Sequence, residues 1–311
     1  MPYAIHNGVR LYWEERGSGP PLLLIMGLSF TLEMWHRVTP EFAKDYRVIL
    51  LDNRGVGRSD IPPGGRYTIG AMAEDALAVL DAAGVNEPAL VLGASMGGMI
   101  AQELTLRHPE RVQALVLGCT ACGPLFRAAW PKLEWSPGLW QWITSRGELR
   151  ERALVRLLYA NTTPLDRIEE DIAIRAACQP PVHAVLRQLA GILSWSSYSR
   201  LPQIKAPTLV VHGEQDHVLP PANGRMVASR ISNSEFILLP NAGHILTTDQ
   251  PELSLQIVGR FLETVRAGEY APDAGLRDVA VTTAPDLVAR RSQFPQQSPR
   301  LHVSGVSHQD Q

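Results

Sequence analysis

The chain has 311 residues, 45% of them hydrophobic, enough to bury a sizeable core as one large domain or as a domain carrying an insertion. With 29 Lys and Arg against 31 Asp and Glu, the formal charge is -2 and no block of like charge stands out, which argues against nucleic acid or an anionic membrane surface and for a small-molecule partner. No apolar run reaches the roughly 18 residues that span a bilayer, and the opening "MPYAIHNGVRLYW" lacks the basic and apolar regions of a secretory signal, so a cytoplasmic location is expected.

Along the chain, runs that are apolar on successive residues predict strands buried on both faces. The first two are "PPLLLIMG" (20–27) and "RVILLDNRG" (47–55); a helical pattern over 68–84 follows, then a strand over 88–95 and a second helix over 96–110. "VQALVLGC" (112–119) is another strand, and after a long break come "PTLVVHGEQD" (207–216), "SEFILLP" (234–240) and a helix over 251–269. Alternation of this kind predicts a mainly parallel sheet covered by helices. In the break, 120–200, the patterns are helical without a strand, and five of the seven tryptophans fall there: Trp130, Trp135, Trp140, Trp142 and Trp195. The expected organisation is a core of 1–119 and 201–269, a helical insertion over 120–200, and a weakly ordered tail over 270–311 rich in Pro, Ser and Gln. Cys119 and Cys122 share the C-x-x-C spacing, but no second ligand pair follows and burial accounts for them, so neither a metal nor a cofactor is expected.

The stretch "ALVLGASMGGMIAQ" (89–102) ends a strand in a glycine-crowded turn. It lacks the spacing of a dinucleotide fingerprint or a phosphate loop and matches G-x-S-x-G through Gly93, Ser95 and Gly97. A strand-to-helix turn of that composition can push a serine hydroxyl outward, and a serine nucleophile needs a histidine base and an acid to orient it. In such a turn the order is nucleophile, acid, histidine. Asp216, in the loop after a buried strand, is the expected acid, with Glu214 the close alternative. Of the later histidines, His217 adjoins the acid and His302 and His308 lie in the tail, which leaves His244 in "LLPNAGHILTTDQP" as the base. Backbone N–H groups of Met96 and Leu28 are the expected oxyanion donors, with Gly27 allowing close approach.

Together, "GSGPPLLLIMG", "LDNRGVGRSD", "GASMGGMIAQ", "GEQDHVLP" and "NAGHILTTDQP" make the chain, from about Tyr3 to Ala267, resemble the α/β-hydrolase fold family of cofactor-free serine hydrolases. The resemblance implies a mainly parallel sheet of about eight strands flanked by helices, a helical cap over the site, and Ser95, Asp216 and His244 as a triad. Met26-Gly27 stands where many relatives have His-Gly, keeping the backbone donor without the histidine. Asp52, Arg54 and Ser59 are expected to brace loops. "SMGGMIAQ" is similar to 3-oxoadipate enol-lactone hydrolases and polyketide methylesterases, so the expected reaction is cleavage of a small carboxylic ester or lactone through a serine acyl-enzyme. A cofactor-free haloperoxidase or perhydrolase, a carbon–carbon bond hydrolase on the same triad, and a non-catalytic binding protein on this scaffold are the alternatives. Arg127, Arg146 and Arg175 in the insertion are candidates to meet a substrate carboxylate, against the simpler reading of solvated helix faces. A homo-oligomer is left open.

Overall fold

In the computed structural model, the described residues are 3–63, 67–123, 148–272 and 279–280, with backbone alone for 148–151 and 279–280. Among them one sheet runs in the order β1-β2-β4-β3-β5-β6-β7-β8-β9. Its strands are β1 (Tyr3–His6), β2 (Val9–Arg16), β3 (Pro21–Ile25), β4 (Arg47–Leu51), β5 (Ala89–Ala94), β6 (Val112–Gly118), β7 (Thr208–Gly213), β8 (Ser234–Leu239) and β9 (Val279–Ala280). β2 pairs antiparallel with β1 and β4, and every other pairing is parallel. Eight strands make the expected mainly parallel sheet, and β9 adds two residues at its edge.

All five residues of β3 and all six of β7 are buried, which is why these strands are contiguous apolar runs with no alternation. The β1–β2 hairpin is absent from the elements expected above, because its strands mix buried and exposed residues. Its signal was the dipeptide Asn7-Gly8, whose positive φ values of 48° and 77° suit the tight turn that matches strand twist.

Helices cover the sheet: α1 (Thr39–Phe42), α2 (Ile69–Ala82), α3 (Met96–Arg107), α4 (Glu148–Leu158), α5 (Leu165–Ala177), α6 (Val182–Leu193), α7 (Ala222–Arg230), α8 (Leu246–Asp249) and α9 (Pro251–Arg266). Thr68 starts α2 by accepting the Ala71 N–H on its hydroxyl at 3.1 Å. The same helix buries Ile69, Met72, Ala76 and Val79 on the sheet. It also carries the buried Asp75, which takes two 2.6 Å hydrogen bonds from Arg54 and so moors the loop after β4.

Between β6 and β7 the described chain is helical, through α4, α5 and α6. Trp195, after α6, donates from its indole to Glu103 of α3 at 2.7 Å, so this tryptophan packs the insertion onto the core. Trp130, Trp135, Trp140, Trp142, Arg127 and Arg146 lie outside the described residues. Of the expected tail, Tyr270 stacks edge-on against Phe261 at 5.2 Å and Val279–Ala280 pair with β8, while 281–311, with His302 and His308, lie outside the described residues. No described helix is long and apolar enough to cross a membrane.

Candidate active site

Ser95 sits between β5 and α3 with φ 55° and ψ -120°, a backbone conformation that costs energy for a non-glycine residue. The surroundings hold it there. Its N–H donates to Gly118 O at 2.9 Å, and its carbonyl accepts from Gly98 N–H at 3.0 Å and from the Thr120 hydroxyl at 2.7 Å. Its side chain makes no capping bond to α3, so the hydroxyl is spared. Packing behind the turn demands glycine: a Cβ on Gly97 would lie 2.0 Å from the Ile25 carbonyl oxygen.

The loop after β3 runs directly past this hydroxyl. A Cβ on Gly27 would stand 3.0 Å from Ser95 Cβ and 3.4 Å from its Oγ, so only glycine lets the loop approach. The next N–H, that of Leu28, takes part in no hydrogen bond among the described residues. The Met96 N–H opens α3, at the positive end of the helix, and has no intrahelical acceptor. Met96 thus follows Ser95 directly, and Leu28 follows the glycine that passes closest to it. The brace from the neighbouring loop is also present: Asp52 accepts the N–H groups of Leu32 and Arg58 at 2.9 Å each, and the Ser59 hydroxyl donates to Asp52 O at 2.6 Å.

Past β7 and β8, His244 Nδ1 lies 2.8 Å from Asp216 Oδ2, and both residues are buried. The other carboxylate oxygen accepts the N–H groups of Val218 and Leu219 at 2.9 Å each. Burial opposes the Asp216 charge, yet His244 and His212 hold its carboxyl well below the usual carboxylate range. An ionised Asp216 can only accept, so in a neutral His244 ring the proton sits on Nδ1 and Nε2 is the acceptor. Glu214 is exposed, as is His217, so the structure brings Asp216 and not Glu214 to His244. An apolar recess at the carboxyl end of the strands is bordered by Met26, Ala94, Gly118, Leu246 and His244, joining the histidine to the residue before Ser95.

Sequence reasoning passed over three supporting groups. His212, fully buried in β7, reaches Asp216 Oδ2 at 3.2 Å and Leu219 O at 2.7 Å through Nε2; a histidine inside the otherwise apolar "TLVVHG" was the available signal. Asp249 accepts the N–H of Gly243 at 2.6 Å, and the His244 N–H donates to Leu158 O at 2.8 Å, so α4 and α8 together fasten the histidine loop. Burial pushes the Asp249 carboxyl up to about 6 in spite of its three donors, Thr163, Gly243 and Ala160. Asn53 donates to Met26 O at 2.8 Å and steadies the end of β3. No local sequence pattern marks these last two.

Cys119, His212 and Asp216 are, among the described residues, the group whose ligand atoms converge, all within 4.8 Å. Their chemistry suits hydrogen bonding and not metal ligation: burial pushes the Cys119 thiol up, which keeps it protonated, and both Asp216 oxygens face N–H donors.

The family model for the alpha/beta hydrolase fold matches residues 20–251. The chain is 30% identical over 268 residues to the 2-hydroxymuconate semialdehyde hydrolase of Pseudomonas sp. (strain CF600), covering 83% of this chain and 92% of that protein. Among solved structures, Est816, described as an N-acyl homoserine lactone degrading enzyme, matches with TM-score 0.72 and 30% identity, over 84% of this chain and all of the other (100%). The enol-lactonase from Burkholderia xenovorans LB400 matches with TM-score 0.70 and 26% identity, over 84% and 100% of the two chains. With that model matching most of its length and its fold shared with these solved structures, the chain belongs to the alpha/beta hydrolase fold family.

Proposed function

We propose that this protein hydrolyses a small carboxylic ester or lactone through an acyl-enzyme on Ser95, with His244 as general base and acid and Asp216 as its orienting partner. The observation that carries the reading is the buried 2.8 Å Asp216–His244 hydrogen bond, with a strained Ser95 spared from capping at the same end of the sheet. His244 Nε2 takes the Ser95 proton as Oγ attacks the acyl carbon, and the Leu28 and Met96 N–H groups receive the charge that grows on the carbonyl oxygen. Collapse breaks the bond to the leaving oxygen, which departs with the proton from His244. Water, deprotonated by the same imidazole, then releases the acid.

Helices α4 to α6 form the cap that selects the acyl group. The likeness to a lactone-degrading enzyme and an enol-lactonase supports a medium-sized apolar or cyclic acyl part. Arg175 of α5 lies over the Phe30 ring, 5.2 Å from its centroid, which puts a cap cation beside the oxyanion loop and supports an acidic group on part of the substrate range. Carbon–carbon bond hydrolysis is the second reading, favoured by the identity to the semialdehyde hydrolase.

The test is labelling by a fluorophosphonate probe with peptide mapping, beside turnover of p-nitrophenyl esters and lactones. Wild type should label at Ser95, and Ser95→Ala should neither label nor turn over, with a loss approaching ~10⁶-fold in rate. A Ser95→Ala enzyme keeping a tenth of wild-type activity would sink the assignment.

A further inference from the structure

Helix α6 turns three buried residues toward the core, two of them small and the third out of keeping. Its buried positions are Ala184, Gln188 and Gly191. Ala184 packs beside Gly55, and Gly191 is so close to the backbone of Tyr67 that a Cβ there would lie 1.9 Å from the carbonyl oxygen. Between these two tight contacts stands an uncharged but polar side chain with none of its surface exposed. Burial of an amide is tolerated only when its hydrogen bonds are made. Gln188 makes two: its Oε1 accepts the N–H of Ser29 at 3.0 Å, and its Nε2 donates to Arg54 O at 2.9 Å.

Those two partners matter because of what lies between them. The Leu28 N–H belongs to the peptide joining Gly27 and Leu28. The preceding peptide is held at the Met26 carbonyl by Asn53, at 2.8 Å. The following one is held at the Ser29 N–H by Gln188, where Ser29 has a positive φ of 65°. The peptide itself is tied at its own carbonyl, Gly27 O, by the Phe30 N–H at 3.4 Å. Anchors on both sides and at the carbonyl restrain the peptide that carries the Leu28 N–H, in a loop that passes close enough to Ser95 for a Cβ on Gly27 to stand 3.4 Å from its Oγ. Of these anchors, Gln188 alone comes from the helical insertion.

We propose that Gln188 is a positioning residue for the oxyanion hole, supplied by the insertion, so that seating α6 on the loops after β3 and β4 sets the aim of the Leu28 N–H as well as roofing the site. The proposal rests on the Ser95 acyl-enzyme reading. It makes the insertion part of the rate machinery, and it predicts that changes to α6 alter turnover even where they do not touch substrate.

The experiment compares wild type, Gln188→Leu and Gln188→Glu by steady-state kinetics on p-nitrophenyl butyrate and by the rate of fluorophosphonate labelling, with thermal unfolding as a control. Gln188→Leu removes both bonds and should lower kcat and the labelling rate by about 10- to 100-fold, short of the ~10²–10³ that loss of a donor itself costs. KM should move less than about twofold, because the change falls on transition-state and not ground-state contacts. Gln188→Glu keeps folding testable should the leucine variant fail to fold. Its protonated carboxyl can accept from Ser29 and donate to Arg54, whereas its carboxylate cannot donate. Its labelling rate relative to wild type should therefore rise as pH is lowered from 9 to 6, a response that a merely structural side chain would not give. A folded Gln188→Leu enzyme labelling at the wild-type rate, or a Gln188→Glu ratio flat with pH, overturns the proposal. Absence of labelling in wild type would instead remove the Ser95 reading, and this proposal with it.

Discussion

Replacing Asp216 by Asn tests the histidine's tautomer with little change of shape. In the native site one carboxylate oxygen accepts the Val218 and Leu219 N–H groups at 2.9 Å, and the other accepts from His244 at 2.8 Å. An asparagine whose carbonyl keeps the two backbone bonds must present its NH₂ to His244. Nδ1 then has to accept, the ring proton moves to Nε2, and the atom that should receive the Ser95 proton already carries one. Loss of the base in this way is expected to cost about 10⁴-fold in kcat, or about 5 kcal/mol of barrier. The new NH₂ also meets the His212 Nε2, 3.2 Å from the oxygen it replaces. Exchange of a charge-assisted bond for a neutral one, with that mismatch, should remove about 1.5–3 kcal/mol of stability, so the variant stays folded at room temperature. The assay is kcat on p-nitrophenyl butyrate for wild type, Asp216→Asn and Glu214→Gln, with urea unfolding followed by circular dichroism. Full activity in Asp216→Asn, or a steep loss in Glu214→Gln with none in Asp216→Asn, would refute the reasoning and move the acid to Glu214.

Two further changes probe the oxyanion loop and the seat of the insertion. Gly27→Ala puts a methyl 3.0 Å from Ser95 Cβ, so loop or serine must shift, and kcat should fall by about 10²-fold with the protein still folded; unchanged kcat would show that the loop does not supply a donor. Burial would raise the Glu103 carboxyl, but hydrogen bonds from Arg200, Trp195 and Arg107 hold it down to about 2 from an ordinary 4.5. A depressed carboxylate stabilises the fold fully above its unfolded-state value and loses that contribution as pH falls toward the folded one. Between pH 7 and pH 3 the wild-type unfolding free energy should therefore drop by about 2 kcal/mol more than that of Glu103→Gln. Parallel losses in the two proteins would count against this linkage.

What was legible in the sequence is what short-range physics governs. Strands buried on both faces must be apolar at successive positions, so β3 to β8 announce themselves, and a serine in a strained turn needs small neighbours, so "GASMGG" stands out. The order of acid and histidine after that turn then narrowed the candidates to a few residues. Only the tertiary structure tells Asp216 from Glu214, two residues apart in one loop, because the pairing of β7 with β8 brings one inward to His244 and leaves the other in solvent. It alone also joined Gln188 to Ser29 across 159 residues and Ala160 to Asp249 across 89. A buried amide or carboxylate is acceptable only where distant backbone groups happen to complete its hydrogen bonds, and no local pattern in a chain records which distant groups those are.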